Sequence, residues 1–120
     1  YAAEPLGADD AHRSFYADTL LPSANPRTIC DGLLTSLGEL NYGYIKQYVD
    51  DVLLVDDTEI LSAMRLIYER MKIVVEPSSA TVLAAVVKYN ELFANKKIGL
   101  ILSGGNIDLQ SFFDSYKAKL

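Results

Sequence analysis

The chain contains no tryptophan, one cysteine and one histidine. A single cysteine, Cys30, excludes an internal disulfide and any zinc site built on several thiolates. It suits a reducing compartment, and a cytoplasmic location is the expectation. One histidine, His12, rules out histidine clusters as metal ligands. It lies on an expected surface helix, where solvation fits better than catalysis. Cys30 has no nearby histidine in sequence to activate it, so a thiol nucleophile has no support.

Basic residues are also scarce. Eleven Lys and Arg face sixteen Asp and Glu, for a formal net charge of −5. The cations are scattered rather than clustered, which disfavours nucleic acid and anionic membrane surfaces as partners. Long apolar runs are missing too. The longest apolar stretch, Ala80 to Val87, is interrupted by Thr81 and falls far short of a bilayer. There is no internal repeat, low-complexity tract or Gly/Ser-rich linker. The chain opens Tyr1-Ala2-Ala3-Glu4-Pro5, with no signal-peptide pattern, and reads as a strand already in progress.

What is present is a globular balance: 120 residues, half of them apolar and 22% charged. That length holds at most one small domain. Strand-like and helix-like segments alternate. Tyr1 to Ala3 reads as a strand end, and Asp9 or Asp10 as the cap of a short helix running to about Ala17. Leu20 to Gly32, with Pro22 and Pro26, reads as irregular chain. Tyr42 to Val49 is expected to be helical. Val52 to Val55, bounded by Asp50-Asp51 and Asp56-Asp57, has the composition of a buried strand.

The clearest helix follows. Asp56 and Glu59 have capping-box spacing, although Asp57 is an equally good cap. Ile60, Met64, Ile67 and Met71 then recur at helical spacing. Arg70 and Lys72 sit where cations suit the helix dipole. Ile73 to Val75 is short and β-branched, as a strand would be. Pro77 breaks the chain, and Ser78 or Ser79 can cap a helix to about Asn90. Ile98 to Leu102 reads as a buried strand that ends in Ser103-Gly104-Gly105-Asn106. A last helix covers roughly Leu109 to Lys117. This alternation predicts an α/β fold with a largely parallel sheet, in which ligands gather beyond the carboxyl ends of the strands.

Two features sit at such strand ends. Gly104 and Gly105 would let the backbone turn tightly and approach a flat ligand, and the Ser103 hydroxyl could meet a ring nitrogen. Their spacing fits neither a Walker loop nor a dinucleotide fingerprint. From the tetrapeptide alone, a plain strand-to-helix turn is the stronger reading. At the other end, Glu4, Asp9 and Asp10 gather three carboxylates that, with backbone carbonyls, could hold Mg²⁺ or Ca²⁺. On spacing alone, a helix cap with a solvated acidic face is again the stronger reading. Glu76, between an apolar run and Pro77, is a mild candidate, because a carboxylate entering a buried segment needs a partner or a shifted pKa.

Taken in order, the segments are more specific than any one alone. Ala2-Ala3-Glu4-Pro5 with Ala8-Asp9-Asp10 is followed by Thr28-Ile29-Cys30-Asp31-Gly32 and Val49-Asp50-Asp51-Val52. Next come Glu69-Arg70-Met71-Lys72, Val75-Glu76-Pro77 and Leu102-Ser103-Gly104-Gly105-Asn106-Ile107-Asp108-Leu109. The series resembles the C-terminal part of eukaryotic serine racemases and the related catabolic serine and threonine ammonia-lyases. These are pyridoxal-phosphate enzymes of the tryptophan-synthase-β-like fold (fold type II).

The resemblance carries expectations for individual residues. Ser103 would hydrogen-bond the pyridine nitrogen of pyridoxal 5′-phosphate. Gly32 would bring backbone close to the cofactor, with Asp31 and Glu76 nearby. Glu4, the carbonyl of Ala8 and Asp10 match the family's divalent-cation site, for Mg²⁺ or Ca²⁺. Arg70 and Asn106 match positions that touch ATP at the dimer interface of nucleotide-activated members. The resemblance further implies L-serine or L-threonine as substrate and a homodimer for the full-length enzyme.

The departures matter equally. None of the seven lysines lies in the family's Ser-x-Lys-x-Arg-Gly setting, where the Schiff-base lysine is found. The glycine-run phosphate loop is missing, as is the serine that acts as second base in racemisation. Residues 1–120 are therefore expected to be part of the large, cofactor-binding domain, with the lysine and the small domain absent. Such a chain supplies one wall of an active site, no catalytic residue, and no activity by itself. The rival expectation is a stand-alone, non-catalytic α/β domain that binds a divalent cation or a protein partner. It requires cooperative unfolding of the isolated chain, which a half-sheet with unpaired edges disfavours.

Overall fold

The computed structural model describes residues 1–118. The order is β1 (Ala2–Pro5), α1 (Asp10–Ala17), a 3-10 turn (Asp31–Leu33), α2 (Glu39–Tyr48), β2 (Val52–Val55), α3 (Asp57–Met71), α4 (Pro77–Lys88), α5 (Asn90–Phe93) and α6 (Leu109–Ala118). The expected α/β character is borne out, with strand and helix alternating as far as α3. β1 and β2 pair in parallel, with Ala2 opposite Val52 and Pro5 opposite Val55. The molecule measures 38 × 37 × 22 Å, and the short dimension suits one sheet packed against one layer of helices.

The core lies between the sheet and the helix pair α3–α4. Val55, Ile60 and Ala80 are fully buried, with Met64, Ile67 and Ala84 beside them. The i, i+4, i+7 stripe Ile60–Met64–Ile67 is thus the inner face of α3, and each such side chain contributes about 1.5–3 kcal/mol through burial. The stripe stops one position short of expectation. Met71 is exposed, because α3 ends there and Lys72 turns into the left-handed region at φ 60°. Lys72 closes the helix by donating from Nζ to the Glu69 carbonyl at 2.7 Å.

At the start of α3 the capping box is complete. Asp56 Oδ1 accepts the Glu59 backbone N–H at 2.8 Å, and Glu59 Oε2 accepts the Asp56 N–H at 2.7 Å. The cap of α4 differs from expectation. Pro77 occupies the first helical position and Glu76 is the N-cap, so neither Ser78 nor Ser79 caps. The proline ring fixes the helical φ there and needs no N–H partner.

Two expected strands are not strands. Ile73 to Val75 and Ile98 to Leu102 form no ladder among the described residues. Val75 is buried, but Ile98, Leu100 and Ile101 are exposed. A strand exists only through its hydrogen-bonded neighbour, and neither segment has one here. An apolar groove of about 400 Å³ separates Tyr1–Ala3 from the 96–101 segment. No helix among the described residues is long and apolar enough to cross a membrane.

Candidate functional site

The first turn of α4 is a common platform for two loops far apart in sequence. One is the 103–106 loop. The Glu76 N–H donates to the Gly104 carbonyl at 3.1 Å, and the Gly104 N–H donates to Ser79 Oγ at 3.3 Å. A Cβ on residue 104 would overlap Glu76 Oε1, and one on residue 105 would stand 2.6 Å from the Val74 carbonyl oxygen. Neither glycine has a positive φ. Neither serves a left-handed turn; Gly105 is needed because the Val74 backbone leaves no space for a side chain, whereas at residue 104 the obstacle is the tip of Glu76.

The second is the 3-10 turn. Its Gly32 faces Ser78, and a Cβ there would lie 3.1 Å from Ser78 Oγ. Asp31 Oδ1 accepts the Gly32 N–H at 2.8 Å. Cys30, just before it, is fully buried, and that burial pushes its thiol up to about 11. A thiol so protonated is inert at neutral pH, as its sequence context implied. Thr28 Oγ1 donates to Asp57 Oδ1 at 2.6 Å, tying this stretch to α3.

Gly32, Glu76 and Ser103 are thus brought to the same helix terminus. The Ser103 side chain is exposed and makes no hydrogen bond among the described residues, leaving its hydroxyl open to a ligand. An exposed hydroxyl beside a loop too close-packed for side chains fits one wall of a site for a flat ring with a polar atom. Asp31, Pro77 and Asn106, near neighbours of these residues in the chain, line a cavity of about 310 Å³. Ser79 was missed from sequence. Its role is a contact across 25 residues with the loop backbone, which no local pattern announces.

The second cluster lies where β1 meets α1. Glu4 and Asp10 are both buried, at 9% and 2% exposure, and Ala8 between them is 3% exposed. Asp9 occupies the N-cap position of α1 but makes no capping hydrogen bond. Glu4 does that work from β1, with Oε1 accepting from Ala11 N at 3.1 Å and Oε2 from His12 N at 2.9 Å. Burial raises the Glu4 pKa; the two N–H donors pull it down, and the Asp10 and Asp9 charges add to the rise. Arg13, a cation that feels the charges of Asp9, Asp10 and Glu4, is paired with Asp9 at 2.8 Å.

The Ala8 carbonyl accepts no hydrogen bond from the described residues. An orphaned carbonyl in a buried residue between two buried carboxylates is a donor set that fits a hard cation. Two side chains and one carbonyl fall short of six ligands, so waters would complete the shell. No group of three or more His, Cys, Asp or Glu suited to a metal occurs among the described residues. His12 is not merely solvated. Its Nδ1 lies 2.7 Å from the Val52 carbonyl, which can only accept, so the proton is on Nδ1.

The expected nucleotide residues are not brought together. Arg70 is exposed near the end of α3 and Asn106 is exposed in the 103–106 loop, with no hydrogen bond between them.

Comparison with known proteins bears on the family and the fold. Residues 1–104 match the family model described as pyridoxal-phosphate dependent enzyme. A serine racemase of Dictyostelium discoideum is 50% identical over 115 residues, covering 92% of this chain and 36% of that protein. The structure of maize serine racemase superposes with a TM-score of 0.85 at 42% identity, covering 98% of this chain and 37% of that one. A threonine deaminase from T.th. gives 0.83 at 43% identity, covering 89% and 39%. The chain spans about a third of the length of the curated relatives it matches.

Proposed function

Since this chain belongs to the pyridoxal-phosphate-dependent enzyme family, we propose that it forms part of the large, cofactor-binding domain of a serine racemase or a serine/threonine ammonia-lyase. The observation that carries the reading is the meeting of the Gly32 turn and the Ser103–Gly105 loop on the first turn of α4. The similarity to serine racemases and to a threonine deaminase supports both activities alike, and L-serine or L-threonine as substrate.

When bound, pyridoxal phosphate supplies an aldehyde and a conjugated ring that take up electron density from the substrate α-carbon. Ser103 would meet the ring nitrogen through Oγ. A hydroxyl stays un-ionised at neutral pH and does not hold that nitrogen protonated, so the ring is a milder electron sink than one paired with a carboxylate. Such a sink suits α-proton removal followed by reprotonation or by β-elimination to a 2-oxo acid. Gly32 would present bare backbone to the cofactor. Glu76 would keep the 103–105 loop in place through its backbone N–H and its side chain beside Gly104. None of the seven lysines lies in the family's Schiff-base setting, so the reading assigns α-proton removal to a lysine elsewhere in a longer polypeptide and no activity to these 120 residues alone.

Glu4, the Ala8 carbonyl and Asp10 would hold Mg²⁺ or Ca²⁺, with the orphaned carbonyl as support. Arg70 and Asn106 would contribute to an ATP site only in a homodimer, since within one chain they stand apart. The lone buried cysteine supports a cytoplasmic setting.

The test is expression of the polypeptide that carries this chain, with cofactor uptake read by visible absorbance and products separated chirally. The expected result is retained pyridoxal phosphate, with D-serine or a 2-oxo acid formed from L-serine or L-threonine. Absence of bound cofactor, or no turnover of either amino acid, overturns the reading. Borohydride trapping of the cofactor on a lysine of residues 1–120, with turnover by the isolated chain, overturns its inactivity.

A further inference from the structure

The start of α4 holds both backbone polar groups of Gly104, each from a different residue. The Glu76 N–H donates to the Gly104 carbonyl at 3.1 Å. The Gly104 N–H donates to Ser79 Oγ at 3.3 Å. That N–H belongs to the peptide unit joining Ser103 to Gly104. A peptide unit is planar, so an acceptor that fixes its N–H also restrains the Cα of Ser103, from which the hydroxyl projects.

The Ser79 hydroxyl is not spent on its own helix. Serines at helix starts commonly serve as caps, yet α4 has no side-chain cap hydrogen bond. The Ser79 N–H is already occupied by the Glu76 carbonyl at 3.1 Å. Ser79 is 2% exposed and the adjacent Ala80 is fully buried, so the acceptor is anchored in packed core. Ser103, by contrast, is exposed.

We propose that Ser79 is a positioning residue for the cofactor ring: through the Gly104 N–H it aims the Ser103 hydroxyl at the pyridine nitrogen. The inference rests on the reading of Ser103 given above and adds the residue that orients it. Glu76 holds only the peptide on the far side of Gly104. Without Ser79, the Ser103–Gly104 peptide can rotate while the rest of the loop stays docked. A hydrogen bond weakens steeply as its angle closes, so a modest rotation is enough to lose the ring nitrogen.

The experiment is a double-mutant cycle on the polypeptide that carries this chain, loaded with pyridoxal phosphate. Its variants are Ser79→Ala, Ser103→Ala and the two together. Ser79→Ala removes one oxygen and suits a helix better than serine does, so the fold is kept. The readouts are kcat and KM for L-serine or L-threonine, exchange of the Gly104 amide, and the absorbance and fluorescence of the bound cofactor, which respond to the partner of its ring nitrogen. Ser79→Ala should lower kcat by about fivefold, the usual worth of one neutral hydrogen bond, with little change in KM. It should speed Gly104 exchange and shift the cofactor spectrum in the same direction as Ser103→Ala. The double variant should lose no more than Ser103→Ala alone, because no hydroxyl is left to aim.

Unchanged kcat and spectrum in Ser79→Ala, with only a lower melting temperature, would make Ser79 merely structural. That result overturns the proposal and leaves the proposed function standing, as do losses that simply add in the double variant. Wild-type spectrum and turnover in Ser103→Ala overturn the role of Ser103 and this proposal with it. A polypeptide that retains no pyridoxal phosphate overturns the proposal and the proposed function together.

Discussion

Glu4 caps a helix to which it does not belong: its Oε2 accepts the backbone N–H of His12, in the first turn of α1, at 2.9 Å. With Asp10 and the Ala8 carbonyl, the same carboxylate makes up the three donors of the proposed cation site. The structural role and the proposed ligand role separate by measurement. Glu4→Gln keeps an acceptor oxygen but removes the charge, and should cost about 1 kcal/mol through the weakened cap. Chelation should lower the melting temperature of the wild type and leave that of Glu4→Gln unchanged. An equal response to chelator in both proteins would exclude Glu4 as a cation ligand.

The capping box of α3 offers a simpler test. Asp56→Ala removes the acceptor for the Glu59 N–H and should destabilise by about 1 kcal/mol. Faster exchange of the first-turn amides of α3 would show that the loss is at this end. The Lys88–Glu59 pair at 2.9 Å is partly exposed, and Lys88→Ala should cost less than the cap.

Gly104 and Gly105 should not tolerate alanine equally. At residue 104 the obstacle is the tip of the Glu76 side chain, which can swing away. At residue 105 it is the Val74 carbonyl, fixed in the backbone. Gly105→Ala should cost about 1–3 kcal/mol, and Gly104→Ala less. Thermal denaturation of the two variants gives the order directly.

Cys30 sets a pH dependence. Burial raises its thiol to about 11, so the folded state keeps the proton to higher pH than the unfolded chain does. Its contribution is fully present below the ordinary thiol value and is lost as pH rises from there through about 11. Cys30→Ala should flatten the stability profile across that window. Alkylation at neutral pH should be slow in the folded protein and fast once it is denatured.

Much of this was legible locally. The Asp56-x-x-Glu59 spacing pointed to the capping box, because both bonds close within three residues, although only the structure chose Asp56 over Asp57 as the cap. Ile60, Met64 and Ile67 specified the buried face of α3, because about 3.6 residues per turn place them on one side. Pro77 marked a break next to a helix, because its ring allows few conformations, but the helix begins at Pro77 itself with Glu76 as its cap. The ordered motifs from Glu4 to Asp108 pointed to the family before any coordinate was known. What the sequence could not settle depends on partners remote in the chain. Whether Ile98–Leu102 becomes a strand depends on a neighbour to complete its ladder. That Glu4 rather than Asp9 caps α1 depends on where β1 ends in space. That Gly104 and Gly105 answer to Glu76 and Val74, and that Asp10 reaches Leu37 across 27 residues, depends on long-range packing, which no local pattern encodes.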